Sequence, residues 1–388
     1  MDIRSDFHAL SQPQQSIWYL EQKYPGTCMN VIAGTLRFKG EVDYDALTEA
    51  IRLLIKNNDG LRIHFRETEG EVREYLTSYE EKHIDFLDFS RGQGFEDLFR
   101  WDEEETHIPF ELIDSDLYYF AVLKIDGNNW GFYAKLHHLI SDAWTMSIIG
   151  NEVMRYYELL KKNIPVEEAK RPSFFEHLAN EEKYEQSERF ARDKEYWNEK
   201  FDEYPEPTVL KPQALNDKNI MSSRKTFVAP QKLSRKIREY CAEHNTSVFT
   251  LFLSALSIYI NRVTGIEDII MGTTILNRIN SREKDTIGMF VSVAAPIRIR
   301  MDNTRNFTEF SGDMAKESLA ILKHQKYPYN YLIRDLKRKH KVTGRLFDIV
   351  LNYQNSKFSN QKTEGGNVSR WHFSGYQVES LVIHGSSA

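Results

Sequence analysis

The residues best suited to chemistry fall together: His137-His138-Leu139-Ile140-Ser141-Asp142-Ala143-Trp144 places two imidazoles, a hydroxyl and a carboxylate in one short segment. A neutral imidazole takes up or gives a proton near pH 7, so the segment suits general acid–base catalysis. His and Asp are also ligand types for zinc or non-haem iron. If residues 130–140 form one strand, His137 lies on the face of Tyr133 and Lys135, and His138 on that of Ala134 and Leu136. Rings facing apart do not address one substrate atom or one metal, so one is a candidate for chemistry and the other for support. No third ligand cluster lies near by, and no metal is expected. Ser141 lacks the Gly-x-Ser-x-Gly turn that exposes a nucleophile, and reads as a residue at a helix start. Asp142, past the strand end, is placed to bond an imidazole or a buried arginine and so fix the loop. Taken alone, the pattern leaves a catalytic loop and a structural one both open.

The elements that must position this segment alternate between strand and helix. Residues 117–125 and 130–140 flank Asp126-Gly127-Asn128-Asn129, an Asp-Gly hairpin turn. After the segment, Ile148, Ile149, Val153, Tyr156, Tyr157 and Leu160 recur at helical spacing over 144–161. Upstream, a strand is expected at 32–38 and a helix at 44–56 capped by Asp43, with extended structure again at 61–65. Pro165 and Pro172 bracket a polar link, and 174–201 carries only a thin apolar stripe (Leu178, Phe190, Trp197, Phe201), as an exposed connecting helix would. A second pattern follows: a strand at 224–228, helices at 233–243 and 247–263, and a strand at 268–273. An irregular stretch then runs to 287, with extended structure at 289–299, a helix at 310–324 and a strand at 346–353. The two halves are alike in kind. They predict an α/β (α+β) protein with an N-terminal subdomain (1–165), a connecting helix and linker (166–212) and a C-terminal subdomain (213–388), the functional site lying between the two subdomains.

At 388 residues the chain is too long for one ordinary core, and 41% hydrophobic residues suffice to fill two. Lys and Arg number 51 against 57 Asp and Glu, a net charge of -6 that does not favour phosphate backbones or anionic lipid, so neither nucleic acid nor membrane is an expected partner. No stretch approaches the roughly 18 consecutive apolar residues of a membrane span, and a cytoplasmic location is expected. Cys28 and Cys241 are isolated from each other and from any His-rich spacing, which suggests neither a disulfide nor a zinc site.

The segment resembles the His-His-x-x-x-Asp-Gly signature of the condensation domains of non-ribosomal peptide synthetases, and the likeness extends along the chain. Ser11-Gln12-Pro13-Gln14, with Trp18 beyond, is similar to the family's opening Ser-x-Ala-Gln-x-x-x-Trp element. Asn58-Asp59-Gly60-Leu61-Arg62-Ile63-His64-Phe65 is similar to its Arg-His-x-x-Leu-Arg-x-x-Phe element, with the first two positions altered. Gly272-Thr273-Thr274-Ile275-Leu276-Asn277-Arg278, Ile287-Gly288-Met289-Phe290-Val291-Ser292, His324-Gln325-Lys326-Tyr327-Pro328-Tyr329 and Leu346-Phe347-Asp348 follow in the family's order. Ala143 stands where the signature has glycine, Ser292 where many members have asparagine, and Ala388 ends the chain earlier than in most members.

The resemblance implies two chloramphenicol-acetyltransferase-like subdomains forming a V-shaped pseudodimer, with a tunnel entered from opposite ends by thioesters on 4′-phosphopantetheine arms. It implies His138 as the catalytic residue, either a true base or a positioner of the amine, and His137 as its support. Asp142 would pair with an arginine, and Arg278 and Arg62 occupy the matching motif positions. Ser141, Ala143, Trp144, Ser292 and Tyr327 are expected along the tunnel. No cofactor is expected to be bound. Only about nine residues precede Leu10, and that placement resembles the starter domains of lipopeptide synthetases. Their donor is a fatty-acyl group from an acyl carrier protein or coenzyme A, and their partners are downstream peptidyl carrier and adenylation domains. A peptidyl-elongating domain, a non-catalytic carrier-docking module and an epimerase sharing the signature are the alternatives.

Overall fold

A computed structural model describes residues 7–166, 171–210, 225, 227–341, 346–354, 362–363, 366–367 and 371–373. They divide into two mixed α/β units. The first draws on the described residues of 7–183, Arg278–Phe290 and 355–380, and the second on those of Tyr184–Asn277 and Val291–Gln354.

The first unit opens with a two-residue strand β1 (His8–Ala9) and helix α1 (Gln12–Lys23). Ser11 and Gln14 form a reciprocal capping box at the start of α1, with Pro13 in its first turn, where a missing N–H costs nothing. After β2 (Val31–Lys39), Asp43 caps α2 (Tyr44–Asn57), which buries Leu47, Ile51, Leu54 and Ile55. A 3-10 turn, Asp59–Arg62, leads into β3 (Ile63–Thr68) and β4 (Glu71–Leu76), which with β1 make a small antiparallel sheet. Then come β5 (Asp85–Asp88), α3 (Phe95–Thr106), β6 (Tyr118–Asp126), β7 (Asn129–His137), α4 (Ala143–Lys161) and α5 (Phe174–Glu185).

The main sheet runs Trp371–Phe373, β2, β7, β6, β5, with β5 parallel to β6 and the other pairs antiparallel. Its central strand β7 is buried on both faces, as a strand covered on both sides must be. On one face Ala33, Ala121, Leu123 and Tyr133 meet Leu98 and Trp101 of α3. On the other, Phe38 packs against Phe132 and against Tyr157 of α4. The strand that carries the histidines to their place is thus held from both sides.

The second unit contains α6 (Glu188–Lys200), α7 (Gln231–Glu243), α8 (Val248–Thr264) and β8 (Asp268–Ile275). The chain then passes to the first unit through Arg278–Phe290, which includes the short helix α9 (Ser281–Lys284). It returns as β9 (Ser292–Arg300), α10 (Phe307–Lys323), α11 (Tyr329–His340) and β10 (Val350–Leu351). The sheet order is β10-β8-β9, with β10 parallel and β9 antiparallel to β8. Leu253, Ile270, Ile297, Phe310, Met314, Leu332 and Trp197 are in its core.

Several expectations change. The strand expected over 130–140 ends at His137, because His138 to Ile140 form a turn. The single connecting helix over 174–201 is two, since the Ser187 side chain accepts from the Phe190 amide and starts a new helix there. Extended structure expected from 61 begins only at Ile63, and that expected from 289 only at Ser292. In the region 346–353 only Val350–Leu351 pairs as a strand. The strand expected at 224–228 lies partly outside the described residues, and Phe227 and Val228 are in no strand. Helices α3 and α11 were not expected. Among the described residues no single helix is long and apolar enough to cross a membrane.

Candidate active site

The turn after β7 is closed on itself. The His138 amide donates to the Asn30 carbonyl (2.8 Å), the Ile140 amide to the His137 carbonyl (3.1 Å), and the Ser141 hydroxyl to that same carbonyl (2.8 Å). The His138 ring lies with Nδ1 2.9 Å from the Ser141 carbonyl oxygen. A carbonyl only accepts, so Nδ1 carries the proton and the neutral ring keeps its lone pair on Nε2. His138 is part-exposed, whereas residues 131–137 and 139–142 are all buried. The surrounding protein desolvates the ring. That desolvation, reinforced by His137, holds its pKa below the ordinary histidine value against the opposing pull of the Ser141 carbonyl and Asp142.

His137 faces elsewhere. Its Nδ1 accepts from the Leu139 amide (3.1 Å), and its Nε2 lies 3.2 Å from Oε1 of Glu21, which also accepts from Nδ2 of Asn30 (2.6 Å). Phe110 packs against both His137 and Lys135, so these two share a face.

Asp142, and not Ser141, caps α4: its Oδ1 accepts from the Thr145 amide (2.8 Å). Both carboxylate oxygens lie 3.0 Å from Nη2 of Arg278, in a pair whose side chains are 0% and 2% exposed. Arg278 also donates to the Glu283 and Gly288 carbonyls and to the Thr145 hydroxyl, with its guanidinium 4.0 Å over the Phe290 ring. Burial lowers its pKa, and Asp142 opposes that. Close approaches fix the same segment. A Cβ on Gly60 would lie 2.0 Å from the Ile287 carbonyl oxygen, and one on Gly288 would lie 2.2 Å from the Phe174 ring.

The structure brings His137, His138, Ser141, Asp142 and Arg278 together and separates others. Arg62 does not meet Asp142: its Nη1 donates to the Thr77 carbonyl (2.6 Å), and its charged partner is Asp59. Ser141 is buried with its hydroxyl committed to a carbonyl, which withdraws it from any tunnel wall. Tyr327 is a core residue of the second unit, its ring against Phe190 (5.2 Å) and its hydroxyl donating to Asp335 (2.9 Å). Ser292 opens β9 opposite Ile275 in that unit. Ala143 begins α4 and is not among the positive-φ residues, so its backbone needs no glycine. Trp144 is part-exposed and donates from Nε1 to the Lys284 carbonyl (2.8 Å). Glu21, Asn30 and Thr145 escaped sequence reasoning, for which no motif signals them. Gln14 lies in the Ser11-Gln12-Pro13-Gln14 element, and its amide donates to Leu139 O beside the histidines (3.1 Å).

Comparison with known proteins gives the fold and the family. The solved structures it resembles define the fold as that of condensation domains, mixed α/β and chloramphenicol-acetyltransferase-like. They include the first condensation domain of the calcium-dependent antibiotic synthetase with a substrate analogue (TM-score 0.80, 19% identity, 94% of this chain and 83% of that one). A mutant of the starter condensation domain of rhizomide synthetase in complex with C8-CoA is also similar (TM-score 0.77, 24% identity, 89% and 78% covered). The condensation-domain family model matches residues 4–384. The chain therefore belongs to the condensation domains of non-ribosomal peptide synthetases, acyltransferases that form amide bonds. Among curated relatives, surfactin synthase subunit 1 of Bacillus subtilis (strain 168) is 36% identical over 383 residues, covering 97% of this chain and 11% of that protein. The chain thus spans about a ninth of that relative's length.

Proposed function

We propose that this chain joins a fatty-acyl thioester to the amine of an aminoacyl thioester, with His138 Nε2 at the reacting nitrogen. The amine attacks the thioester carbonyl, a C–N bond forms, and the nitrogen becomes cationic. Nε2 takes that proton, the C–S bond breaks, and the proton passes to the departing thiolate. The single observation that carries this reading is the His138 ring, anchored through Nδ1 on the Ser141 carbonyl so that its lone pair is left on Nε2. A base so placed contributes on the order of 10²- to 10⁴-fold in rate. Holding two tethered reactants in line adds to it. His137 supports the turn, and the Asp142–Arg278 pair anchors it to the segment Arg278–Phe290.

The donor proposed is a fatty or β-hydroxy fatty-acyl group on coenzyme A or an acyl carrier protein. The acceptor rides on the phosphopantetheine of a peptidyl carrier loaded by an adenylation domain. Likeness to the rhizomide starter domain, whose structure holds C8-CoA, supports the donor class. The test is amide formation from acyl-coenzyme A of varied chain length, against peptidyl-carrier donors, with wild type and His138→Ala. Expected are turnover from acyl-coenzyme A and a loss of about 10²-fold or more in the variant. Turnover only from peptidyl donors would make it an elongating domain. Equal, negligible turnover of both proteins with every donor would make it a docking module.

A further inference from the structure

We propose that Glu21, on α1, is a positioning residue for His138, acting through His137; the proposal rests on the catalytic reading of His138 given above. Glu21 is 7% exposed, and a carboxylate so buried needs strong donors. Two reach Oε1, Nδ2 of Asn30 at 2.6 Å and Nε2 of His137 at 3.2 Å. Lys135, on the same face as His137, is committed to Glu105 at 2.9 Å.

The direction of the His137 bond follows from its other nitrogen. The Leu139 amide can only donate, and it points at His137 Nδ1 from 3.1 Å. Nδ1 therefore holds a lone pair, and the ring proton sits on Nε2, aimed at Glu21. A proton on Nδ1 would set one N–H against another and release Leu139. Glu21 thus selects the tautomer that keeps the turn closed, and the turn carries His138 with it.

Asn30 joins the two ends of this chain of contacts. Its side chain holds Glu21, while its backbone carbonyl accepts from the His138 amide at 2.8 Å. One carboxylate therefore fixes both residues on which the His138 backbone leans. Glu21 touches no reacting atom. Its effect is to hold Nε2 of His138 at the distance and angle the amine requires.

The test compares Glu21→Leu, which keeps shape without an acceptor, with Glu21→Gln, which keeps a carbonyl oxygen toward His137 and Asn30. Octanoyl-coenzyme A and leucyl-N-acetylcysteamine serve as substrates, and long-range ¹H–¹⁵N spectra of histidine-labelled protein report the His137 tautomer. For Glu21→Leu the expected result is loss of the Nε2–H tautomer at His137 and a fall in kcat of roughly 10- to 100-fold, with KM within about twofold. Glu21→Gln is expected to restore kcat to within about threefold of wild type. Unchanged kcat and tautomer in Glu21→Leu, or a loss that Glu21→Gln does not rescue, overturns the proposal. If Glu21→Leu does not fold, Asn30→Ala carries the comparison, with an expected fall of about 3- to 10-fold in kcat and none if the proposal is wrong. His138→Ala separates the two ideas. If it retains full kcat, the catalytic reading fails; if it is crippled while Glu21→Leu is intact, only the role of Glu21 fails.

Discussion

One hydrogen bond, from His138 Nδ1 to the Ser141 carbonyl, decides which nitrogen of the ring can receive a proton. Desolvation decides when it can, because it lowers the ring's pKa from the ordinary 6.5. Only the neutral ring has a lone pair to offer, so the limb of the pH–rate profile that belongs to His138 is expected to be centred below 6.5, apart from the titration of the acceptor amine above it. Profiles of wild type and His138→Ala check this, and a limb lost in the variant but centred above 6.5 contradicts it. At this scale much of the site was legible from types and spacing. The divergence of His137 and His138 is expected from strand alternation, and it is found although the strand stops at His137 and His138 opens a turn. Asp142 and Arg278 were legible through motif order. Arg62 and Tyr327 were misplaced because a guanidinium or a phenol reads the same in a core as beside a substrate. Glu21 was invisible, since its contact with His137 spans 116 positions and exists only once the fold is made.

Helix α1 reaches the site by a second route. Gln14 closes the capping box with its Oε1 and donates from Nε2 to the Leu139 carbonyl (3.1 Å) and to Glu74 Oε2 on β4 (2.8 Å). Glu74 is fully buried, and desolvation, aided by Glu181 and Asp59, pushes its carboxyl up to about 8 from 4.5, with only Gln14 pulling it down. Between those two values the unfolded chain sheds a proton that the folded chain retains. The stability tied to this group is therefore whole below 4.5 and is lost as pH rises toward 8. Glu74→Gln keeps an acceptor for Gln14 and removes the titration. Its Tm is expected to gain on wild type more at pH 8 than at pH 5, and an equal difference at both would refute the account. Elements differ in how plainly they could be foreseen. α2, α4 and α8 carry apolar stripes long enough to declare themselves. α3 is crowded with acids and buries only Leu98 and Asp102, so its helical face is faint in the sequence. The break between α5 and α6 rests on a single cap, Ser187.

For the molecule as a whole, the sequence shows two α/β halves but not that the first unit borrows Arg278–Phe290 from the far side of the chain. No local propensity encodes that exchange; it rests on fits such as Gly60 against Ile287 and Gly288 against Phe174. Arg278→Ala leaves the Asp142 carboxylate buried without its counter-ion, and a loss of about 3–5 kcal/mol in urea unfolding is expected. Replacing both charges, as Asp142→Leu with Arg278→Met, is expected to cost less than the single change. Gly288→Ala forces the Phe174 ring aside, and about 1–3 kcal/mol is expected from the same measurement.

Asp142 and Arg278 are 136 residues apart in the chain. A ribosome adding about 5–20 residues per second makes the arginine roughly 7–27 s after the aspartate. Through that interval the nascent first unit has an acidic helix cap waiting in water, and synthesis of much of the second half must precede its completion. The Arg278 contact therefore cannot form until synthesis is well into the second half, although the aspartate it meets belongs to the first.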